Sequence, residues 1–379
     1  MRHILLILLL VWLPVANAVV VGADQPEQYL PHLEDRRVSL VVNQTSMVGD
    51  THLVDFLLEK DVNVVSVMAP EHGFRGDQGA GEIIDDAVDV KTGIPILSIY
   101  GANKKPSADM LKNVDVLIFD IQDVGTRFYT YISTLHYVME AAAENNVPVM
   151  VFDRPNPNGR FVDGPVRKPG FESFVGVDPI PVLHGMTVGE LALMIKGESW
   201  INQADELLLE VLPVRDYQRS MAWSLDVAPS PNLPNDTAIR LYPSLCFFEG
   251  TAVSVGRGTK LPFQIYGHDV VPLGDTPFTP VSMQSAPSPK LEGKEILATV
   301  LTDSNIEGLD LTPLLESYRA FAAKGETFFT RPAFFDKLAG TDSLRKAILR
   351  GEDEASIRAS WQEELEVFKH QRAPYLLYP

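Results

Sequence analysis

Short runs of β-branched and other apolar residues alternate, through the first half of this chain, with segments whose apolar positions return every three or four residues. That alternation is the signature of βαβ units. Residues 37–42 read as a strand, 51–59 as a helix with Leu53, Phe56 and Leu57 on one side, and 62–68 as a second strand. Residues 95–100, 114–119 and 147–152 read as further strands. A long helix over 129–145 presents Ile132, Leu135, His136, Met139 and Ala143 at helical spacing. Thr187-Val-Gly-Glu190 has the form of a capping box and opens a helix to about Lys196. The fold class expected is α/β: a mostly parallel sheet covered by helices on both faces.

Past Asp226 the pattern dissolves into proline-rich, irregular chain, including Ala228-Pro-Ser-Pro-Asn-Leu-Pro234, Phe248-Glu-Gly-Thr251 and Ser254-Val-Gly-Arg-Gly-Thr-Lys260. Ordered chain of this kind wraps over sites rather than filling cores, so it is expected to form a second wall of a cleft. From about Gly267 a smaller α+β portion follows, with an amphipathic helix over 354–369 and an apolar tail, Tyr375-Leu-Leu-Tyr378, expected to dock on the body. Two domains result, 19–250 and a smaller 251–379 that closes the cleft. A length of 379 residues, 45% of them hydrophobic, is enough for both cores.

Residues 1–18 stand apart from the fold. Met1-Arg-His3 is basic, 4–15 is apolar, and Ala16-Asn-Ala18 fits a signal peptidase site. The segment is too short to span a bilayer, and no other run approaches the roughly 18 apolar residues required. Export is expected, without stable membrane insertion. The one cysteine, Cys246, forms no internal disulfide and is expected to be buried. Lacking a disulfide or lipid anchor, the chain is expected in the periplasm rather than the medium. The net charge of −18, from 50 acidic and 32 basic residues, argues against nucleic acid as a partner. A local cluster of arginines can still invert the field within a cleft.

Polar residues collect where the strands end. Asn43-Gln-Thr-Ser46 follows the first strand, and Glu71, His72 and Arg75 follow the second. Asp120, Asp123 and Arg127 come after the 114–119 run, and Asp153-Arg-Pro-Asn156 after the next. In open α/β sheets the chemistry gathers at this carboxyl rim.

Several separate motifs resemble the NamZ family. They are Glu71-His-Gly-Phe-Arg-Gly76, Asp120-x-x-Asp-x-Gly-x-Arg127, Asp153-Arg-Pro-Asn-Pro157, Pro229-Ser-Pro-Asn232, Glu249-Gly-Thr251 and Gly256-Arg-Gly-Thr259 with Pro262-Phe263, together with Arg372 and the Tyr375–Tyr378 tail. The resemblance runs from about Arg36 to Tyr378. It implies an exo-β-N-acetylmuramidase that releases N-acetylmuramic acid from the non-reducing ends of peptidoglycan fragments, with MurNAc-GlcNAc saccharides as partners and no cofactor. It also implies a Rossmann-like domain followed by a smaller one. Ala252 stands where the family pattern leads one to expect asparagine, so an amide contact is missing or replaced.

Glycoside hydrolysis needs a proton donor at the leaving oxygen and a group that attacks or stabilises the anomeric carbon. Glu71 suits the acid role, because burial beside Phe74 raises a glutamate towards the working pH; the alternative is a cap or a partner for Arg75. Asp120, Asp123 and Glu249 compete for the second role, and the substrate's own acetamido oxygen offers a further route, leaving inversion and retention both open. His72 either orients Glu71, binds sugar or makes a structural hydrogen bond. Arg127 and Arg257 suit bidentate pairing with the lactyl carboxylate, or an ion pair with one of the acids. Tyr129 and Tyr131 suit stacking on a sugar face, Tyr131 with a core position as its alternative. Asp153, Asn156 and Asn232 are substrate contacts or turn formers.

Other classes fit less well. A metal-dependent hydrolase would draw on Asp120, Asp123, His72 and His184, but no His-Glu-x-x-His spacing is present. A non-catalytic sugar-binding protein of the envelope would share fold and export signal without needing a glutamate at the cleft centre. Gly76-Asp-Gln-Gly-Ala-Gly81 has the wrong order for dinucleotide binding, and no Gly-x-Ser-x-Gly elbow marks an esterase.

Overall fold

A computed structural model of the chain describes residues 18–75 and 87–379, so residues 1–17 of the expected leader and the glycine-rich run from Gly76 to Gly81 lie outside the described residues. Seven strands form the main sheet: β1 (Val38–Val42), β2 (Val64–Ala69), β3 (Ala87–Val88), β4 (Pro95–Ser98), β5 (Val116–Asp120), β6 (Val149–Phe152) and β7 (Leu209–Leu212). Their spatial order is β3-β4-β2-β1-β5-β6-β7. Every neighbouring pair is parallel except β3 with β4. The chain starts in the middle, builds outward through β2 and β4, then crosses back to β5. The carboxyl ends of β1 and β5 therefore flank a topological switch point, where neighbouring loops part and leave a crevice.

Side chains of the central strands alternate between two cores. Val41, Leu117, Phe119, Val149 and Val151 meet Leu135, Val138 and Met139 of α2 (Tyr131–Glu144) on one face. Leu40, Val42, Ile118, Met150 and Phe152 meet Leu53, Val54 and Leu57 of α1 (Leu53–Glu59) on the other. Burial on both faces is why these strands read as unbroken apolar runs. The α/β expectation is borne out. Helix α3 (Val188–Gly197) carries the expected capping box: Thr187 accepts from the Glu190 backbone, and the Glu190 side chain accepts from Thr187.

Beyond α4 (Asp236–Leu245) lies a second unit with a small antiparallel sheet, β8 (Ile265–His268), β9 (Thr276–Phe278) and β10 (Ile296–Val300), in the order β8-β10-β9. Helices α5 (Thr312–Lys324), α6 (Pro332–Ala339), α7 (Ser343–Leu349), α8 (Glu354–Ala359) and α9 (Gln362–Arg372) follow. Two helix boundaries differ from expectation. Helix α1 begins at Leu53 because Thr51 and His52 pair with Met47 and Val48 in a short hairpin, and the His52 ring then caps the Val54 N–H. The single helix expected over 354–369 is broken between α8 and α9, where the Ser360 hydroxyl donates to the Ile357 carbonyl and competes with the helical ladder. The tail docks as expected: Val214 N–H donates to the Tyr378 hydroxyl at 2.8 Å, and Leu377 N–H donates to Glu190 at 2.7 Å. Cys246 is buried.

Candidate active site

A cleft of about 810 Å3 opens at the carboxyl rim of the sheet. Loops after β2, β4 and β5 form one wall through Glu71, His72, Tyr100 and Phe128 to Tyr131. The other wall comes from the proline-rich segment and the second unit: Ser230, Asn232, Glu249, Ser254, Arg257, Lys290 and Arg331. The expected wrapping of irregular chain over the rim is what the structure shows.

Glu71 sits two residues past the end of β2, half-buried, with a hydroxyl at each carboxylate oxygen. Tyr100 donates to Oε1 at 2.8 Å and Thr130 to Oε2 at 2.7 Å, while the Tyr131 hydroxyl donates to the Glu71 carbonyl at 3.2 Å. Burial, reinforced by the Glu71 charge, pushes the Tyr100 phenol well up, so it keeps its proton and remains a donor. The turn that presents Glu71 is tight: His72 has φ +71° and Gly73 φ +77°. A histidine in that left-handed region costs on the order of 1 kcal/mol, which surrounding contacts must offset. His72 is buried, and its Nε2 lies 3.3 Å from the Ser230 hydroxyl on the far wall. Phe74 is buried and meets the His52 ring edge-on at 5.0 Å.

Glu249 lies in the turn after α4, and its Oε1 accepts from Arg257 Nε at 2.8 Å, with Nη2 of the same ion pair 2.7 Å away. Of the alternatives left open for Arg257, the structure shows the ion pair, with the guanidinium also resting over Phe263. Tyr129 lines the cleft and donates to the Pro229 carbonyl at 2.7 Å, tying the two walls together. Asn232 lines it as well: its amide donates to Ser285, and its buried Oδ1 has no partner among the described residues.

Six sequence candidates lie outside the cleft lining. Asp120 is fully buried in a bidentate pair with Arg154, Oδ1–Nε 2.5 Å and Oδ2–Nη2 2.9 Å. Asp123 is buried behind the wall, accepts from Gly125 N–H at 2.7 Å and lies 3.7 Å from His184 Nε2. Burial pushes Asp123 up to about 7 and His184 down to about 3. Met186 N–H donates to His184 Nδ1, so the neutral ring carries its proton on Nε2, the atom facing Asp123. Arg127 is wholly buried and donates to the carbonyls of Pro165, Ile180 and Leu338. Neither ion pair nor cleft contact is what it makes. Asp153 is a cap: it accepts from Arg154 N–H, Gly189 N–H and the hydroxyls of Thr187 and Tyr378. Asn156 shapes a turn, accepting from Asn158 N–H and donating to Met186. Arg75 pairs with Asp89 at 2.9 Å and Asp55 at 3.7 Å. Ala252 does not line the cleft either; its N–H donates to the Phe328 carbonyl.

Tyr100, Thr130, Lys290 and Arg331 are cleft residues that sequence reading missed. Tyr100 closes an apolar run and reads as strand, but β4 ends at Ser98 and releases it to the rim. Lys290 and Arg331 lie in segments with no motif to single them out. Among the described residues no cluster of three or more metal-ligating side chains occurs, and no helix is long and apolar enough to cross a membrane.

Fold and cleft together define a class: a two-domain α/β protein with a glutamate-bearing, tyrosine-rich cleft of oligosaccharide size at the rim of its sheet. The chain belongs to the NamZ family. Residues 38–237 match the family model described as Exo-beta-N-acetylmuramidase NamZ, N-terminal, and residues 240–378 the corresponding C-terminal model. The chain is 38% identical over 376 residues to the peptidoglycan beta-N-acetylmuramidase NamZ of Bacillus subtilis (strain 168), covering 92% of this chain and 89% of the relative. Two crystal structures of DUF1343 family proteins from Bacteroides fragilis NCTC 9343 share the fold. One is 44% identical with a TM-score of 0.87, covering 96% of this chain and 99% of the other. The second is 30% identical with a TM-score of 0.81, covering 95% and 99%. The resemblance carried by the motifs is borne out.

Proposed function

We propose that this cleft removes N-acetylmuramic acid from the non-reducing ends of MurNAc-GlcNAc saccharides derived from peptidoglycan, with Glu71 as proton donor. That the chain is a glycosidase, an exo-acting muramidase of cell-wall turnover, follows from its family and its curated relative. The observation that carries the assignment of Glu71 is its position: a carboxyl group on the cleft wall with one hydroxyl held against each oxygen. Tyr100 and Thr130 fix its orientation and receive the charge it gains on passing a proton to the departing oxygen. Of the four candidate carboxylates, Glu71 and Glu249 line the cleft. We assign Glu249 the second role, with Arg257 holding Oε1 and leaving Oε2, which accepts no hydrogen bond among the described residues, for the sugar.

The test is hydrolysis of a chromogenic N-acetylmuramide by wild type and Glu71→Gln, each with and without chelator, in periplasmic, cytosolic and medium fractions. Wild type should turn over regardless of chelator and appear in the periplasm, the destination we propose from the apolar run 4–15 and Ala16-Asn-Ala18. Glu71→Gln should lose at least about 10²-fold in kcat with unchanged melting temperature. A Glu71→Gln enzyme with wild-type turnover removes Glu71 from the acid role, and activity confined to the cytosol removes the export reading.

A further inference from the structure

The wall of the cleft contributed by the second unit carries more positive charge than its own partners neutralise. Arg257 is matched by Glu249. Lys290, which also lines the cleft, donates only to uncharged acceptors: the carbonyls of Phe248 at 3.0 Å, Thr251 at 2.6 Å and Val253 at 3.0 Å. Burial pushes this ammonium down to about 8; Glu249 opposes the shift, and Arg331 and Arg257 add to it. All four charged groups line the same cleft. Arg331 is exposed, lines the cleft and has no carboxylate within 4.0 Å among the described residues. Its guanidinium rests over the Phe334 ring at 4.4 Å, and its backbone N–H is held by the Gly250 carbonyl at 3.0 Å. Three cations therefore share the concavity with two carboxylates, Glu71 and Glu249, so positive charge exceeds negative there, on a chain whose net charge is −18. An anion brought into that concavity would relieve the repulsion.

We propose that Arg331, backed by the Lys290 charge, binds the carboxylate of the lactyl ether on the terminal sugar and so selects muramic acid over glucosamine. The inference rests on the muramidase reading above. Arg331 is better placed for this than Arg257, whose Nε and Nη2 are both spent on Glu249. Stacked on Phe334, the Arg331 plane is held while its edge donors stay open for a bidentate contact. Lys290 is a positioning residue: its three protons gather the carbonyls of the 248–253 turn, which carries Glu249, and its charge adds to the field.

The experiment compares kcat and KM of the full chain on two aryl glycosides that differ only in the lactyl group, an N-acetyl-β-muramide and an N-acetyl-β-glucosaminide. Arg331→Gln should reduce kcat/KM on the muramide about 50-fold, chiefly through KM, as expected for loss of a charge-assisted bidentate contact. The preference for muramide over glucosaminide should fall by the same factor, and Arg331→Lys should recover part of it. Free N-acetylmuramic acid should lose affinity as a competitive inhibitor of Arg331→Gln in parallel. An active wild type whose preference survives Arg331→Gln, or a variant that loses both substrates equally, overturns this inference alone. A wild type inactive on the muramide overturns the muramidase reading and the inference with it.

Discussion

Asp123 shows what burial does to a single carboxyl group. Its folded value of about 7 lies above the ordinary carboxylate value of roughly 4, because burial disfavours the charge. Between those two values the native chain holds a proton that the unfolded chain has released, so this contribution to stability is present below about pH 4 and is lost as pH rises through 7. Asp123→Asn removes the titration while keeping an oxygen for the Gly125 N–H. In urea denaturation the variant should match wild type at or below about pH 4 and exceed it at pH 8 by on the order of 2–4 kcal/mol. Asp153, pushed up to about 6 by burial, gives a slope of the same sign and remains in both proteins, so the difference isolates Asp123. Identical pH slopes in the two proteins would sink this account. At the scale of residues the sequence marked Glu71, Glu249, Arg257 and Asn232, all of which line the cleft, because acids, amides and guanidinium groups stand out among glycines and prolines. It also marked Asp120, Asp123 and Asp153, whose polarity serves Arg154, Gly125 N–H and the Thr187 cap instead. Residue type announces that a charge has a partner but not whether the partner is substrate or protein.

Strands and helices were legible to the extent that burial gave them a period. The five strands read from the sequence are those buried between two helical layers or beside them, while β3 and β7 at the sheet edges escaped. Ala87 and Val88 are exposed, and Leu209-Glu-Val-Leu212 carries a charged residue midway. The docking of the tail was legible as an apolar patch, but its anchoring was not. The Tyr378 hydroxyl donates to Asp153 at 2.5 Å and accepts from Val214 N–H at 2.8 Å, joining the last residues to the carboxyl end of β6 and the chain just after β7. Tyr378→Phe keeps the ring, which meets Tyr217 at 5.0 Å, and deletes both bonds. The variant should lose about 1–3 kcal/mol in chemical denaturation, the cost of leaving buried groups unpaired. A loss below about 0.5 kcal/mol would mean that water or a neighbour replaces the hydroxyl.

How the two units are held together was the least legible property, because it depends on backbone carbonyls that no residue type advertises. Arg127 belongs to the first unit and lies in a motif rich in acids, which invites an ion pair or a substrate carboxylate. Its guanidinium instead fans out to Pro165 at 2.8 Å and Ile180 at 2.7 Å and crosses to Leu338, in α6, at 2.8 Å. With the side chain fully buried, burial and the neighbouring Arg167 push it down to about 9, so the cation is costly and is kept for its geometry. Space has been cleared for it: a Cβ on Gly340, where φ is +71°, would stand 2.8 Å from Nη2. Arg127→Lys keeps the charge but replaces a planar fork with a single nitrogen that cannot reach three carbonyls spread over both units. The variant should lose at least about 2 kcal/mol in denaturation, from carbonyls left unpaired, while KM for the muramide in the folded enzyme stays within about two-fold. If instead stability held and KM rose ten-fold or more, the guanidinium would be a substrate contact, and the join between the units would have to rest elsewhere, on such links as the Trp361 indole N–H donating to Asp163 at 3.2 Å.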